Sequence, residues 1–324
     1  MPRQHLLFTG PWADLPLETL AAQAGEWGYG GLELCCWGDH LEVQRGLSED
    51  DYTSEKLELL TQHDLTVPVI ANHKVGHAVS DLIDDRHRAL LPDYVWGDGD
   101  PFEVNRRAAE EMAATFRLAE KLGTSIVSGF TGSPIWSYVA GYPSAKADVI
   151  SEGLKRFADD WHPLLDTARE CGVKFAFEVH PGQIAFDLFS AEAVLEALDQ
   201  REEFGFTFDP SHLHWQGIDP VAFLRRFPDR IYHVHMKDAV LTLDGRSGIL
   251  AGYWPSGDHR RGWQFRSPGR GGIDWEGIIR ALNEIGYEGA LAVDWHDPGM
   301  DREFGAAEAC QFLKRLDFDS PART

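Results

Sequence analysis

The sequence predicts an α/β protein with a single (β/α)8 TIM barrel and long loops at the C-terminal face of the strands. Eight short apolar runs alternate with amphipathic helical stretches, and no shift in composition divides the 324 residues. Barrels of this length commonly form one domain. We therefore expect one domain over 1–324, with loop insertions at about 74–101 and 239–273. An open, doubly wound sheet is the alternative, but eight regular units favour closure.

The predicted elements follow one another in a regular order. The eight strand-type runs are 5–10, 30–37, 65–73, 125–132, 173–180, 204–212, 231–238 and 289–297. Between them, apolar residues recur at helical spacing, most clearly in 154–168, 275–285 and 306–316. Asp219 followed by Pro220 predicts a helix that begins there, with an N-cap and a proline in its first turn.

Charge and composition exclude several classes of function. A net charge of −22 repels phosphate backbones, so we expect no nucleic-acid binding. The chain has no run of about 18 apolar residues, and its first residues lack the apolar segment of a signal peptide. Its four cysteines show no C-x-x-C spacing, which is typical of free thiols in a reducing compartment. We expect a cytoplasmic protein without membrane contact.

Two long connections follow predicted strands, at 74–101 and 239–273. Loops of this length in compact domains are usually functional or disordered. Since both leave the carboxyl end of a strand, they are expected at the mouth of the barrel, where barrel enzymes carry their active sites.

The last four barrel strands each deliver a metal-ligand type of residue to the mouth. If the bulky residues of each strand face the helices, the alternating residues face inward, and the last inward residues are Glu178, Asp209, His235 and Asp294. Any one of them alone would more often be a helix cap or a core residue. Three carboxylates and one imidazole in one register predict a divalent metal site, with Mn²⁺ as the first choice and Mg²⁺, Co²⁺ or Zn²⁺ as alternatives.

Aromatic and histidine residues gather around the same predicted mouth. They offer flat surfaces for a sugar ring or an aromatic group, although each histidine alone is equally consistent with an ordinary loop residue. The candidates for substrate binding are Trp37, Trp136, His212, Trp215, Trp254, Trp295 and His296. His180 is a further residue expected to line the site, and His233 lies one layer deeper and is expected either to support the site or to be a core residue.

Four sequence motifs carry a resemblance to a known family. They are "FEVHPG" with Glu178, "FDPSH" with Asp209 and His212, "HVHMKD" with His235, and "PGRGGIDWEGIIRALNEIGYEGALAVDWHDP" before the last helix. In this order and spacing, the chain resembles the xylose isomerase-like TIM barrels of the sugar phosphate isomerase/epimerase superfamily. That group includes ketose 3-epimerases, inosose dehydratases and, more distantly, the barrel endonucleases of DNA repair.

The resemblance implies roles for individual residues. In the family's epimerases, the residues matching Glu178, Asp209, His235 and Asp294 bind one divalent metal. Those matching Glu178 and Asp294 also exchange the substrate's proton, and the one matching His212 contacts substrate oxygens. We therefore expect catalytic residues among Glu178, Asp294, His180 and His212. Position 294 departs from the epimerases, which have Glu there. The side chain is shorter by about 1.5 Å, which favours a metal ligand over a mobile base.

The implied activity is metal-dependent removal of a proton next to a carbonyl of a sugar or keto-sugar, of the isomerase/epimerase type. One alternative is a lyase that cleaves 3-keto glycosides by β-elimination, like the barrel subunit of C-glycoside deglycosidases. A second is a non-catalytic sugar-binding barrel, and the net charge opposes a nuclease. The expected partners are a small carbohydrate and further copies of the chain, or a small β-rich subunit in the deglycosidase case.

Overall fold

A computed structural model describes residues 3–319, and ten strands are found there. The strands are β1 His5–Phe8, β2 Gly31–Cys35, β3 Thr66–Ala71, β4 Ile126–Gly129, β5 Lys174–Glu178, β6 Phe204–Phe208, β7 Ile231–Met236, β8 Asp238–Leu241, β9 Trp263–Arg266 and β10 Leu291–Val293. Eight of them are parallel and close a barrel in the order β1-β10-β7-β6-β5-β4-β3-β2. This confirms the predicted fold class and the position of all eight strands.

Helices alternate with the barrel strands. They are α1 Leu17–Trp27, α2 Val43–Ser48, α3 Tyr52–Thr61, α4 His73–Ser80, α5 Asp93–Trp96, α6 Pro101–Leu122, α7 Ala147–Glu170, α8 Leu188–Ala197, α9 Pro210–His214, α10 Pro220–Arg226, α11 Trp275–Glu284 and α12 Arg302–Leu316. The predicted cap is present, because the Asp219 side chain accepts a hydrogen bond from the Val221 amide at the start of α10. Among residues 3–319, no helix combines the length and apolar character needed to cross a bilayer.

Two compact units make up the described chain. One contains residues 3–40, 54–68 and 208–319, and the other contains 41–53 and 69–207. In the second unit, Phe175 of β5 stacks on Trp161 of α7 with ring centroids 4.6 Å apart. In the first, Phe208 of β6 packs against Phe223 of α10 at 6.2 Å. These contacts put Phe175 and Phe208 towards the helices, as the alternation predicts. The single domain over 1–324 stays a prediction.

Both predicted insertions contain regular structure rather than plain loop. Segment 74–101 holds most of α4, a 3-10 helix at Asp85–Ala89, and α5. Its apolar residues Val75, Ala78 and Val79 recur at helical spacing and are buried. Segment 239–273 contains most of an antiparallel hairpin in which β8 pairs with β9. The two predicted insertions therefore carry local helices and a hairpin of their own.

The four cysteines are free thiols, as predicted, and Cys35 and Cys310 are buried. Cys36 and Cys171 are half-buried.

Candidate metal centre

Three of the four predicted ligands form one tight group, which we term the acid cluster: Asp209, His235 and Asp294. Asp209 follows β6, His235 lies in β7, and Asp294 follows β10. All three are at least 97 % buried. One donor atom from each lies within 4.8 Å of the donor atoms of the other two. Consecutive parallel strands therefore bring these side chains to one point, as the strand register predicts.

Local structure orients Asp209. It is the N-cap of α9, and its Oδ1 accepts hydrogen bonds from the Ser211 amide at 2.8 Å and the Ser211 hydroxyl at 2.7 Å. Its Oδ2 lies 3.2 Å from Nε2 of His212 but makes no hydrogen bond of acceptable geometry to residues 3–319. The cap thus occupies one carboxylate oxygen and leaves the other as a donor atom for a ligand.

Glu33 holds His235 from behind. Its Oε2 accepts hydrogen bonds from His235 Nε2 at 2.9 Å and from His233 Nε2 at 2.8 Å. Burial would raise the pKa of Glu33, but the two imidazoles outweigh burial and lower that pKa to about 2. Phe8 stacks on the other side of the His235 ring at 5.3 Å. A carboxylate that orients a ligating histidine through one of its ring nitrogens is usual around protein-bound metals.

Lys237 is the main residue of this site that sequence analysis missed. Its Nζ lies 2.6 Å from Asp294 Oδ2 and 3.8 Å from Asp209 Oδ2, and it lies over the Phe265 ring at 4.5 Å. Burial would raise the pKa of Asp294, but the Lys237 ammonium and His296 outweigh it, so the pKa lies well below its ordinary value. The spacing of Lys237 was a usable signal. It comes two residues after His235, so strand alternation predicts that both side chains face the same side.

The acid cluster fits a divalent cation. Two carboxylates at this separation repel by roughly 3–4 kcal/mol at an effective dielectric of about 20. The single charge of Lys237 offsets only part of this repulsion. Within residues 3–319, Asp209 Oδ2 and Asp294 Oδ1 find no hydrogen-bond partner of acceptable geometry, which is costly for buried carboxylates. Two oxygens and one imidazole nitrogen suit Mn²⁺, Mg²⁺, Co²⁺ or Zn²⁺.

Glu178, the fourth predicted ligand, is the last residue of β5 and is buried. Its Oε2 lies 2.8 Å from Nε2 of His73, which is the first residue of α4, directly after β3. Sequence analysis did not single out His73, although its position beyond a strand end was a usable signal. Neither the ligand role nor the catalytic role of Glu178 is tested by these contacts, so both stay predictions.

The sequence matches a protein family described as "Xylose isomerase-like TIM barrel" over residues 21–316. The chain belongs to this family. The match covers most of the chain, including the acid cluster and Glu178, so the resemblance inferred from the four motifs is confirmed.

Two curated relatives illustrate what this xylose isomerase-like barrel is similar to. Uncharacterized protein YfiH of Bacillus subtilis is 27 % identical over 232 residues, covering 67 % of this chain and 74 % of the relative. An inosose dehydratase of Clostridium beijerinckii is 28 % identical over 220 residues, covering 66 % and 68 % respectively.

Solved structures share the fold at lower identity. The apo form of 3-keto-D-glucoside 4-epimerase YcjR from E. coli superimposes with a TM-score of 0.68 at 14 % identity, covering 97 % of this chain and 99 % of that one. The IolI protein, solved with a zinc atom, gives 0.63 at 18 % identity, covering 97 % and 96 %. At these identities, the likeness supports the barrel architecture alone.

The three predicted histidines of the mouth differ in exposure. His212 is buried beside Asp209, and its ring meets the Phe265 ring edge-on at 5.6 Å. His296 keeps 43 % of its side chain exposed, and its Nε2 lies 3.1 Å from Asp294 Oδ1. His180 follows β5, and its Nδ1 donates to the Pro181 carbonyl at 2.5 Å. His296 therefore offers more surface to a ligand than His212 does.

Two of the predicted substrate tryptophans are engaged in packing. Trp215 is buried and stacks on Trp263 of the hairpin at 4.5 Å, with the rings nearly parallel. Trp295 is also buried, and its Nε1 donates to the Ser267 hydroxyl at 3.1 Å. Strand alternation explains Trp295: its neighbour Asp294 points inward, so Trp295 points towards the helices.

The other three predicted tryptophans keep ring surface. Trp37 is half-buried and meets the Phe8 ring edge-on at 6.0 Å. Trp136 is half-buried beside Phe186 at 5.3 Å. Trp254 is exposed, and the Arg260 guanidinium lies 3.2 Å from its ring centroid. Substrate contact by any of the five tryptophans stays a prediction.

A second group of ligand-type side chains, which we term the histidine cluster, comprises His77, Asp81 and His87. Asp81 Oδ2 lies 2.8 Å from His77 Nε2 and 3.1 Å from His87 Nε2, and the two imidazole rings stack at 5.3 Å. Its hydrogen bond to Asp81 raises the pKa of His87. Burial would raise the pKa of Asp81, but hydrogen bonds from both histidines lower it overall.

Gln183 determines the tautomer of His77. Its Oε1 accepts hydrogen bonds from the backbone amides of Thr131 at 3.1 Å and Gly132 at 2.8 Å. The side-chain amide nitrogen therefore faces His77 and donates to Nδ1 at 2.8 Å. Neutral His77 then carries its proton on Nε2 and donates it to Asp81. The histidine cluster is thus satisfied by internal hydrogen bonds and offers no lone pair on His77 to a metal.

Proposed function

We propose that this protein is an enzyme that binds one divalent metal and removes a proton next to a carbonyl of a sugar or keto-sugar. The observation that carries the proposal is the acid cluster, in which buried carboxylate oxygens lack hydrogen-bond partners of acceptable geometry within residues 3–319. The names of the relatives support it, since dehydration and epimerisation beside a ketone both begin with loss of such a proton.

The proposed metal ligands are Glu178, Asp209, His235 and Asp294. Glu178 is included because it is a buried carboxylate at the end of β5 and because the family resemblance implies a ligand at this position. Mn²⁺ is the first choice, with Mg²⁺, Co²⁺ and Zn²⁺ as alternatives. The bound ion would supply positive charge that stabilises the oxyanion formed when the proton leaves.

The chain's own residues would orient the substrate and move protons. Glu178 is the proposed base, and His73 holds its Oε2 so that the carboxylate cannot rotate freely. His212 would contact substrate oxygens, as the family resemblance implies. His180 and His296 would lie along the rim, with Trp37, Trp136 and Trp254 offering ring surfaces to the sugar.

A second candidate outcome, β-elimination, is favoured by Lys237. Epimerisation needs a second group that takes or returns a proton on the opposite face, but Asp294 is held by Lys237 at 2.6 Å and its lowered pKa makes it a poor proton acceptor. Lys237 carries a proton on Nζ that could pass to a departing oxygen. Elimination of water or of the aglycone of a 3-keto glycoside would use this arrangement, and the glycoside case predicts a small β-rich partner subunit.

Solvent deuterium exchange tests the proposal. Protein loaded with Mn²⁺ in D₂O should place deuterium beside the carbonyl of an inosose or a 3-keto-glucoside, and EDTA should stop the exchange. Glu178→Gln should abolish exchange while the circular dichroism spectrum is retained, whereas the exposed control Glu196→Gln should leave it unchanged. Absence of metal-dependent exchange across such a panel would contradict the proposal.

The same assay separates the candidates. Exchange with recovery of a stereoisomer supports epimerisation, and loss of water or aglycone supports elimination, with the partner subunit supplied for glycosides. Elemental analysis that finds no bound divalent metal, and none recruited on addition, would favour a non-catalytic sugar-binding barrel.

A further inference from the structure

An apolar cavity of about 340 Å³ lies in the unit that contains β4 and β5. Its walls come from the segments that follow these two strands and from the first turns of α7 and α8. The principal wall residues are Ile135, Trp136, Leu154, Ile184, Phe186 and Ala193. Its volume lies within the range of small-molecule sites, about 300–1,000 Å³.

The cavity offers no charge to a ligand. None of the side chains that line it is Asp, Glu, Lys, Arg or His, in a chain with 82 acidic and basic residues (52 acidic and 30 basic). Unpaired ionic groups avoid such surroundings because desolvation is not repaid. A charged ligand would therefore be excluded from this cavity.

Three of its polar side chains, Gln183, Ser133 and Ser190, already have partners inside the protein. Gln183 uses its oxygen on the Thr131 and Gly132 amides and its nitrogen on His77. Ser133 accepts from the Ile135 amide, and the Ser190 hydroxyl bonds to the carboxylate of Asp187, its helix cap. Apart from the exposed Tyr138, the rest of the lining offers apolar contact, and Trp136 and Phe186 form an edge-to-face pair at 5.3 Å on one wall.

A glycine in α7 determines the position of one wall residue of the cavity. Gly153 lies inside α7, and a Cβ at this position would collide with Ile135. Glycine in a helix interior is destabilising by about 1 kcal/mol relative to alanine. Here it permits the close approach that holds Ile135 at the cavity wall.

The cavity adjoins the residues that hold Glu178. Gln183 lines the cavity and donates to His77, whose ring faces the edge of Phe130 at 6.5 Å. Phe130 in turn meets His73 at 4.8 Å, and His73 lies 2.8 Å from Glu178. A series of side-chain contacts thus links the wall of the apolar cavity to the proposed base.

We propose that this cavity binds an uncharged apolar substituent, of the size of one or two fused rings, carried on the sugar substrate. The proposal rests on the proposed function, and it narrows the substrate class from simple sugars to sugars that bear such a group. The half-exposed surfaces of Trp136 and Phe186 are then the contact faces for that group.

The test compares methyl and 2-naphthyl glycosides of the same keto-sugar in the deuterium-exchange assay. Wild type should show a KM at least tenfold lower for the naphthyl glycoside. Ala193→Phe, which fills the cavity, should bring that KM to the value for the methyl glycoside. Ala22→Phe, a half-exposed alanine of α1 outside the cavity, is the matched control and should keep the tenfold difference. Trp136→Ala should raise the naphthyl KM without filling the cavity.

Equal KM values in wild type, a tenfold preference that survives Ala193→Phe, or a change in association state caused by that variant would overturn the proposal. If neither glycoside exchanges deuterium, the proposed function has failed rather than the cavity. In that case, binding to the cavity is measured by calorimetry with 2-naphthyl glucoside, which has no carbonyl and so needs no turnover. Saturable binding lost in Ala193→Phe supports it, and absence of saturable binding in wild type overturns it.

Discussion

The acid cluster and the histidine cluster both bring three ligand-type side chains together, but they differ in how far hydrogen bonds already satisfy their donor atoms. In the acid cluster, Asp209 Oδ2 and Asp294 Oδ1 lack hydrogen-bond partners of acceptable geometry within residues 3–319. In the histidine cluster, Asp81 accepts from both imidazoles, and Gln183 occupies the remaining nitrogen of His77. A search by residue type alone would treat the two clusters as equal candidates.

The difference shows that the side chains hydrogen-bonded to the candidate ligands decide which of the two clusters can hold a metal. Glu33 orients His235 through a hydrogen bond to Nε2. Gln183 does the reverse for His77, because it donates to Nδ1 and so requires the proton on Nε2. The hydrogen-bond partners of the two histidines thus prepare them for different roles.

The largest expected effect contrasts His235→Gln with His87→Gln. Wild type loaded with Mn²⁺ should contain one ion per chain by elemental analysis. His235→Gln should lose the ion and about a thousandfold in turnover, because it removes a ligand. His87→Gln should keep the ion and activity within about threefold. Two ions per chain, or loss of the ion in His87→Gln, would contradict the distinction between the clusters.

Lys237→Met should make stability depend on the metal. Removing one partner of a buried ion pair costs roughly 3–5 kcal/mol, so the metal-free variant should melt about 5–10 °C below wild type. Added Mn²⁺ should recover most of this loss, because the ion neutralises Asp209 and Asp294. The measurement is thermal unfolding with EDTA and with Mn²⁺. Equal melting temperatures for the two metal-free proteins would show that Lys237 does not offset the carboxylates.

Glu33→Gln tests the residue behind His235. Loss of such a supporting carboxylate typically lowers metal affinity about 10–100-fold, and the same range is expected here by competitive titration with a chelator. The exposed Glu26→Gln is the matched control and should bind as wild type does. Unchanged affinity in Glu33→Gln would mean that packing by Phe8 orients His235 without help.

The smallest effect is a pH-dependent stability difference in the histidine cluster. The pKa of His87 is raised on folding, so its contribution is complete below the unfolded value of about 6.5 and is lost as pH rises through the folded pKa. The melting temperature of wild type should exceed that of His87→Gln most near pH 6 and least near pH 9. His259→Gln, at an exposed position, should show no such trend. A difference in melting temperature between wild type and His87→Gln that grows with pH would contradict this prediction.

Much of the candidate site was predictable because strands alternate with a period of two. That rule placed Asp209, His235 and Asp294 on one rim without knowledge of their contacts. It would also have placed Lys237, two residues beyond His235. The alternation was applied to the last four strands only, so it did not identify Glu33 in β2. A carboxylate between apolar strand residues was nevertheless a signal of a functional position. His73 was the last residue of the third strand-type run, 65–73, and in the structure it begins α4 directly after β3.

The sequence by itself determined the barrel, its eight strands and the residues that lie at the mouth. Periodicity and capping depend on a few neighbouring residues, so they can be read along the chain. Only the tertiary structure decided which donor atoms are left for a metal. Gln183 meets His77 across 106 residues, Glu33 meets His235 across 202, and Lys237 meets Asp294 across 57. Whether a buried polar atom is satisfied depends on partners distant in the chain, and no local pattern records them.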